Sequence, residues 1–138
     1  VSAACFLDTS ILLYSISGDA TETGKRARAL ELLDRADIGL SVQVLSEFYV
    51  QATRASRRDA VPHDLAEGLV KCWMRFPVQE NTVPVLLQAL EIKAATRFSF
   101  WDSAIVAACC ALGCRELLSE DMSHGQIVDG VRIVDPFR

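Results

Sequence analysis

Four carboxylates fall where this chain turns from an apolar run into a helical segment. They are Asp8 in Leu7-Asp8-Thr9-Ser10, Glu47 in Leu45-Ser46-Glu47-Phe48, Asp102 in Trp101-Asp102-Ser103 and Asp121 in Ser119-Glu120-Asp121. If the apolar runs form one parallel sheet, the four acids meet at one edge of it. Like charges gathered in this way are costly unless a cation holds them together. A carboxylate set without His or Cys suits Mg2+ or Mn2+ better than zinc. Two such ions about 4 Å apart stabilise the entering and leaving oxygens of an in-line displacement, and one of them lowers the pKa of a bound water. The chemistry these residues point to is metal-dependent hydrolysis of a phosphodiester.

Each acid also has an ordinary local role open to it. Asp8 is placed to cap a helix, and Asp102 lies three residues after Ser99, where a capping box has its carboxylate. Asp121 suits an Asx turn after a strand. Glu47 belongs with Gln43, Gln51 and Arg54 to a polar stripe on an otherwise apolar helix. Capping and metal binding are compatible, because both face the start of the helix. Glu120 is a candidate fifth ligand. His124, three residues after Asp121, and Trp101, beside Asp102, are candidate substrate contacts. His63 follows Pro62 at a helix start and reads as structural, and Trp73 as core or interface.

The elements that must position these residues alternate. Strands are expected at Ala3 to Leu7, Ile38 to Val42, Phe76 to Gln79, Glu116 to Ser119 and Val131 to Val134. Between them lie helical patterns: Ile11 to Ile16, then Thr21 to Ala36 with Ala27, Leu30 and Leu33 on one face, then Gln43 to Ser56 with Val44, Leu45, Phe48, Tyr49 and Ala52. A helix from Pro62 to about Met74 follows. The next shows Val83, Leu86, Leu87, Leu90 and Ala94 at helical spacing, and the last starts at a Ser99 cap and stops at Gly113. Short strands alternating with helices imply an α/β fold, with a mainly parallel sheet of about four or five strands covered on both faces. In such sheets ligands bind beyond the carboxyl ends of the strands, which is where the acids fall.

The chain has 138 residues, the size of one domain spanning 1–138, and 51% of them are hydrophobic. No apolar run approaches the roughly 18 residues of a membrane span, and no basic segment precedes an apolar one as in a secretory signal. Five cysteines without regular spacing read as buried thiols, and a reducing cytoplasm is the expected compartment. The net charge of −4 is unlike that of a protein that coats nucleic acid. It leaves a nuclease open, because bound cations reverse the local sign. Ser10 and Ser103 lie in no G-x-S-x-G setting. A phosphoaspartate phosphatase would want Asp at position 10, which is Ser, and no Walker-type phosphate loop is present.

Leu7-Asp8-Thr9-Ser10-Ile11-Leu12, Ser46-Glu47-Phe48, Phe100-Trp101-Asp102-Ser103-Ala104-Ile105 and Leu118-Ser119-Glu120-Asp121-Met122 resemble, in order, the four signature segments of PIN-domain ribonucleases, and most closely those of VapC-type toxins of bacterial toxin–antitoxin pairs. The resemblance implies a small PIN-like α/β/α sandwich and endoribonuclease activity dependent on Mg2+ or Mn2+. It implies that Asp8, Glu47, Asp102 and Asp121 are the catalytic acids, with Asp8, Asp102 and Asp121 on the metal and Glu47 orienting the water. Ser119 and Thr9 are then supporting hydroxyls. The partners it implies are RNA of the tRNA or rRNA class, a cognate antitoxin protein and a second copy in a homodimer. A non-catalytic PIN-fold scaffold for RNA or protein, and a DNA-directed nuclease, are the alternative readings.

Overall fold

A computed structural model describes residues 3–138 of the chain. The chain runs β1 (Cys5–Leu7), α1 (Thr9–Ser15), a short 3-10 turn (Ala20–Glu22), α2 (Thr23–Leu33), β2 (Ile38–Ser41), α3 (Val42–Thr53), α4 (His63–Trp73), β3 (Val78–Gln79), α5 (Val83–Ala95), α6 (Phe100–Ala111), β4 (Glu116–Leu118), β5 (Ile127–Val128) and β6 (Val131–Val134). The strands form one sheet in the order β3-β2-β1-β4-β6-β5. Every pair is parallel except the β5–β6 hairpin. The sheet thus has six strands, one more than the sequence patterns predict. The addition, β5, is only two residues long and too short for any periodicity. It is set by its turn, where Asp129 and Gly130 take φ of 49° and 81°. Two consecutive residues in that left-handed region match the twist of a tight hairpin.

The layers form an α/β/α sandwich. On one flank α1 packs against α2 and α3, and α3 against α4. On the other, α5 packs against α6, which lies across β2, β3, β4 and β6. The helix starts obey local chemistry. Asp8, Ser41, Thr82 and Ser99 are the N-caps of α1, α3, α5 and α6, and each side chain accepts a backbone N–H of the first turn. Because α1 and α3 begin directly after β1 and β2, the residues of their first turns sit at the carboxyl ends of the two strands.

The central strands β1 and β2 are buried on both faces, and across the sheet Phe6, Leu7, Ile38, Leu40, Leu117 and Ile133 are fully enclosed. On α3, Val44, Leu45, Phe48 and Ala52 turn inward as the pattern predicts, and Phe48 meets the buried Trp73 edge to face at 4.7 Å. Two helices present a different face from the expected one. On α2 the buried set is Ala29, Leu32 and Leu33, while Ala27 and Leu30 face solvent. On α5 it is Val85, Ala89 and Ile92, and Val83, Leu86, Leu87, Leu90 and Ala94 lie outside. The cause in α5 is its neighbour. α6, which packs on α5, has the small Ala104, Ala107 and Ala108 among its buried residues, side chains that let a helix approach closely, and the buried row of α5 includes the small Ala89. Cys5, Cys109 and Cys114 are buried free thiols, as expected, whereas Cys72 is exposed and Cys110 half-buried.

Candidate acidic metal centre

Asp8 is the innermost of the four acids, 5% exposed. Its Oδ1 accepts the Thr9 N–H at 2.7 Å, and its Oδ2 accepts the Ser119 hydroxyl at 2.7 Å. The second bond spans β1 and β4, which are paired in register up to Leu7 and Leu118. Ser119 in turn accepts the Asp121 N–H at 3.2 Å and so shapes the turn that carries Asp121. From the other side, Thr9 donates its hydroxyl to Glu47 Oε2 at 2.9 Å. Gln43, one helical turn before Glu47, donates to Glu47 Oε1 and to the Trp101 carbonyl, both at 3.0 Å. The Ser99 hydroxyl accepts the Asp102 N–H at 3.1 Å, which fixes the start of α6. A chain of hydroxyl and amide contacts therefore links the ends of β1 and β4 to the first turns of α1, α3 and α6.

The electrostatics show that the acids sense one another. Burial pushes Asp8 up to about 6, against the pull of the Ser119 and Thr9 hydrogen bonds, and the charges of Asp102 and Asp121 add to the rise. Asp102 is raised by burial and by the charges of Glu47 and Asp121. Asp121 is raised by burial and by Glu120, with Lys25 pulling the other way. Among the described residues no Lys, Arg or His forms an ion pair with Asp8, Glu47, Asp102 or Asp121. An oxygen-only donor set with a buried acid that no protein cation neutralises fits Mg2+ or Mn2+. Sharing one ion requires side-chain rotation, because no three of the four place ligand atoms within 4.8 Å of one another. Asp102, Asp121 and Glu47 are not fully buried and have room to rotate.

The group of His, Asp and Glu side chains that does meet that distance, among the described residues, is His63, Asp64 and Glu67 at the start of α4, all exposed. These three are capable of coordinating a divalent ion. His63 Nδ1 is engaged by the Tyr49 hydroxyl at 2.8 Å, and Lys71 pairs with Glu67. Tyr49 lies two residues after Glu47 and so on a different face of α3. This group is separate from the acids at the strand ends.

The remaining candidates are placed less centrally. Glu120 is not a free fifth ligand, because Lys25 and Tyr14 both donate to it. His124 is exposed, and its Nδ1 accepts the Asp135 N–H at 3.0 Å. Trp101 is 63% exposed at the start of α6. With Phe100, Val83, Val85 and Leu86 it lines an apolar groove of about 690 Å³ that reaches Glu47. Gln43 belongs to the polar stripe named with Glu47, whereas the grip of Lys25 and Tyr14 on Glu120 is a contribution that sequence reasoning did not find. Only Gln43 left a signal, its i, i−4 relation to Glu47.

A parallel sheet carrying acids after its adjacent central strands, with one more in the second turn of α3 and one in the first turn of α6, defines a small α/β domain with an acidic cluster at one sheet edge. The model of the PIN domain family matches residues 5–127, and the chain belongs to that family. No curated protein matches it by sequence. Among solved structures, the chain is similar to a toxin–antitoxin complex from Klebsiella pneumoniae (17% identity, TM-score 0.71, covering 97% of this chain and 98% of the other). It is also similar to VapC20 of Mycobacterium tuberculosis, described as a toxin that cleaves the sarcin–ricin loop (22%, 0.62, covering 83% and 87%). A third likeness is to DNA-bound VapBC of Salmonella typhimurium (16%, 0.67, covering 97% and 98%). At these identities the likeness is one of fold. Among the described residues no helix is long and apolar enough to cross a membrane.

Proposed function

We propose that this chain is a metal-dependent endoribonuclease, acting over residues 1–138 as one unit and serving as the toxin of a toxin–antitoxin pair. The observation that carries the proposal is the buried Asp8 carboxylate at the end of β1, unpaired with any protein cation and raised further by the charges of Asp102 in the first turn of α6 and Asp121 after β4. Asp8, Asp102 and Asp121 are the residues to hold Mg2+ or Mn2+, and a bound ion would supply an acidified water and charge relief at the phosphate. Glu47, whose carboxylate accepts from Thr9 and Gln43, is the residue we assign to orient the attacking water. Ser119 holds Asp8 and the Asp121 turn together. The products are a 5′-phosphate and a 3′-hydroxyl. The test is cleavage of total RNA with and without a chelator. Cutting that persists without divalent ions refutes the reading, as does a failure of Mn2+ to raise the melting temperature, the result that a non-catalytic scaffold gives.

Ser119→Ala is expected to weaken Mn2+ binding and cleavage by about 10- to 100-fold, the usual effect of removing a group that orients a metal ligand. Titration calorimetry and single-turnover cleavage read the two effects. An unchanged Mn2+ affinity would remove Ser119 from the site.

The fold neighbours described as toxin–antitoxin complexes support an antitoxin partner, and the free cysteines support a cytoplasmic setting. The outward leucines of α5 and the apolar groove beside Glu47 support association with protein, both antitoxin and a second copy. His124 and Trp101, at the rim of the acids, are the proposed substrate contacts, with RNA of the tRNA or rRNA class as substrate.

A further inference from the structure

Lys25, in the first half of α2, does not point freely into solvent. Its ammonium donates to Glu120, and to the Tyr14 hydroxyl at 3.3 Å. It lies over the Tyr14 ring at 4.9 Å and the Phe137 ring at 5.6 Å, and these two rings meet edge to face at 5.0 Å. Tyr14 also donates to Glu120. Three remote parts of the chain, α1 through Tyr14, the C-terminal segment through Phe137 and the turn after β4 through Glu120, thus fix this cation of α2 at one point while leaving its side chain 41% exposed. Two aromatic walls and two oxygen partners are more than a solvated surface lysine needs. The point is significant because Glu120 is bonded in sequence to Asp121, so the ammonium stands beside the acidic cluster, near enough for its charge to act on Asp121. Arg28, three residues on and therefore on the same face of α2, reaches the Pro136 carbonyl and continues the basic line away from the cluster.

We propose that Lys25 is the seat for an RNA phosphate next to the scissile one, and that Glu120 occupies this seat as an internal stand-in until RNA displaces it. The inference rests on the ribonuclease reading and adds a binding residue and a competitor to it. A carboxylate and a phosphodiester offer the same anionic oxygens to an ammonium. A strand whose scissile phosphate lies at Asp8 and Asp121 brings its neighbouring phosphate to this ammonium. Tyr14 and Phe137 keep the ammonium in place during the exchange, and the released Glu120 turns to solvent.

The exchange has a signature that a structural ion pair lacks: removing the two partners has opposite effects on RNA binding. Binding of a fluorescein-labelled, mixed-sequence single-stranded RNA to the full chain is measured by anisotropy in Ca2+, with the RNA checked for integrity afterwards. Lys25→Ala is expected to bind about fivefold more weakly and Lys25→Arg like wild type, while Glu120→Gln binds about fivefold more tightly, magnitudes typical of a half-exposed charge-assisted contact. Lys25→Ala should also flatten the dependence of log K on log salt by about 0.7, one phosphate contact on a single strand. Asp34→Asn, which makes the same change in net charge at the far end of α2, should leave affinity within about twofold of wild type. The inference is overturned if Glu120→Gln binds equally or more weakly than wild type, or if Asp34→Asn matches its gain. If wild type itself binds no RNA, the ribonuclease reading falls and takes this inference with it. If wild type binds and only the Glu120 result fails, the reading stands alone.

Discussion

Replacement of Asp8 by Asn is expected to abolish RNA cleavage while making the metal-free protein more stable. The two effects have one origin. Asp8 is a buried carboxylate raised from 3.8 to about 6 by burial, with the Asp102 and Asp121 charges adding to it. A folded-state pKa above the unfolded one means that the stability contributed by the protonated form is fully present below about pH 4 and is lost as pH rises through about 6. The displacement amounts to at most about 3 kcal/mol at neutral pH. Asparagine carries no charge. It can still accept the Thr9 N–H and can donate to the Ser119 oxygen, so the packing survives. In chelator at pH 7 the Asp8→Asn variant should melt higher than wild type, and the two should converge near pH 4. With saturating Mn2+ the order should reverse, because the carboxylate then has its counter-ion. Cleavage should fall by about a thousandfold or more if the ion supplies the nucleophile. A lower apo melting temperature at neutral pH would show that Asp8 is not the strained charge described here. Full activity would remove it from catalysis.

The second large effect concerns the sheet. Gly39→Ala should destabilise the fold by about 1–3 kcal/mol. A Cβ at Gly39 would lie 2.9 Å from Leu112 Cδ1, 3.0 Å from Ala3 Cβ and 3.2 Å from Cys114 Sγ. The leucine tip can swing aside. The alanine methyl is fixed to backbone and the Cys114 sulfur is buried, so β2, the segment before β1 or the loop leading into β4 must shift. The melting temperature should fall by roughly 3 °C per kcal/mol in a protein of this size. Gly113→Ala, where nothing lies within 4 Å but φ is +77°, tests strain without crowding and should cost less than a clash in the sheet. An unchanged melting temperature for Gly39→Ala would mean that α6 packs more loosely over β2 than described.

Much of this architecture is written in local chemistry. Asp8 and Ser99 announce helix starts because each supplies a short oxygen to an orphan N–H, and the sequence read at those points agrees with the observed caps. Glu47 is legible because α3 starts as soon as β2 ends. The failures concern α2 and α5, where more than one face is apolar. A period of 3.6 residues identifies a helix but not which of two hydrophobic stripes meets the core. On α5 the decision belongs to α6, whose alanines admit only a slim partner, and that information is about 20 residues away in sequence. The grip of Lys25 and Tyr14 on Glu120 joins residues 95 and 106 positions apart. No periodicity or motif encodes such a contact, so Glu120 read as one more candidate ligand.

The two outermost strands, Val78–Gln79 and Ile127–Val128, are each two residues long. Rims this short expose too few main-chain donors and acceptors to template a foreign strand. Growth of the sheet by hydrogen-bonded addition is thereby closed off at both borders. Larger assemblies of this chain must be built from side chains on its helices, which leaves their stoichiometry to be set by surface chemistry and tuned without disturbing the ladder beneath.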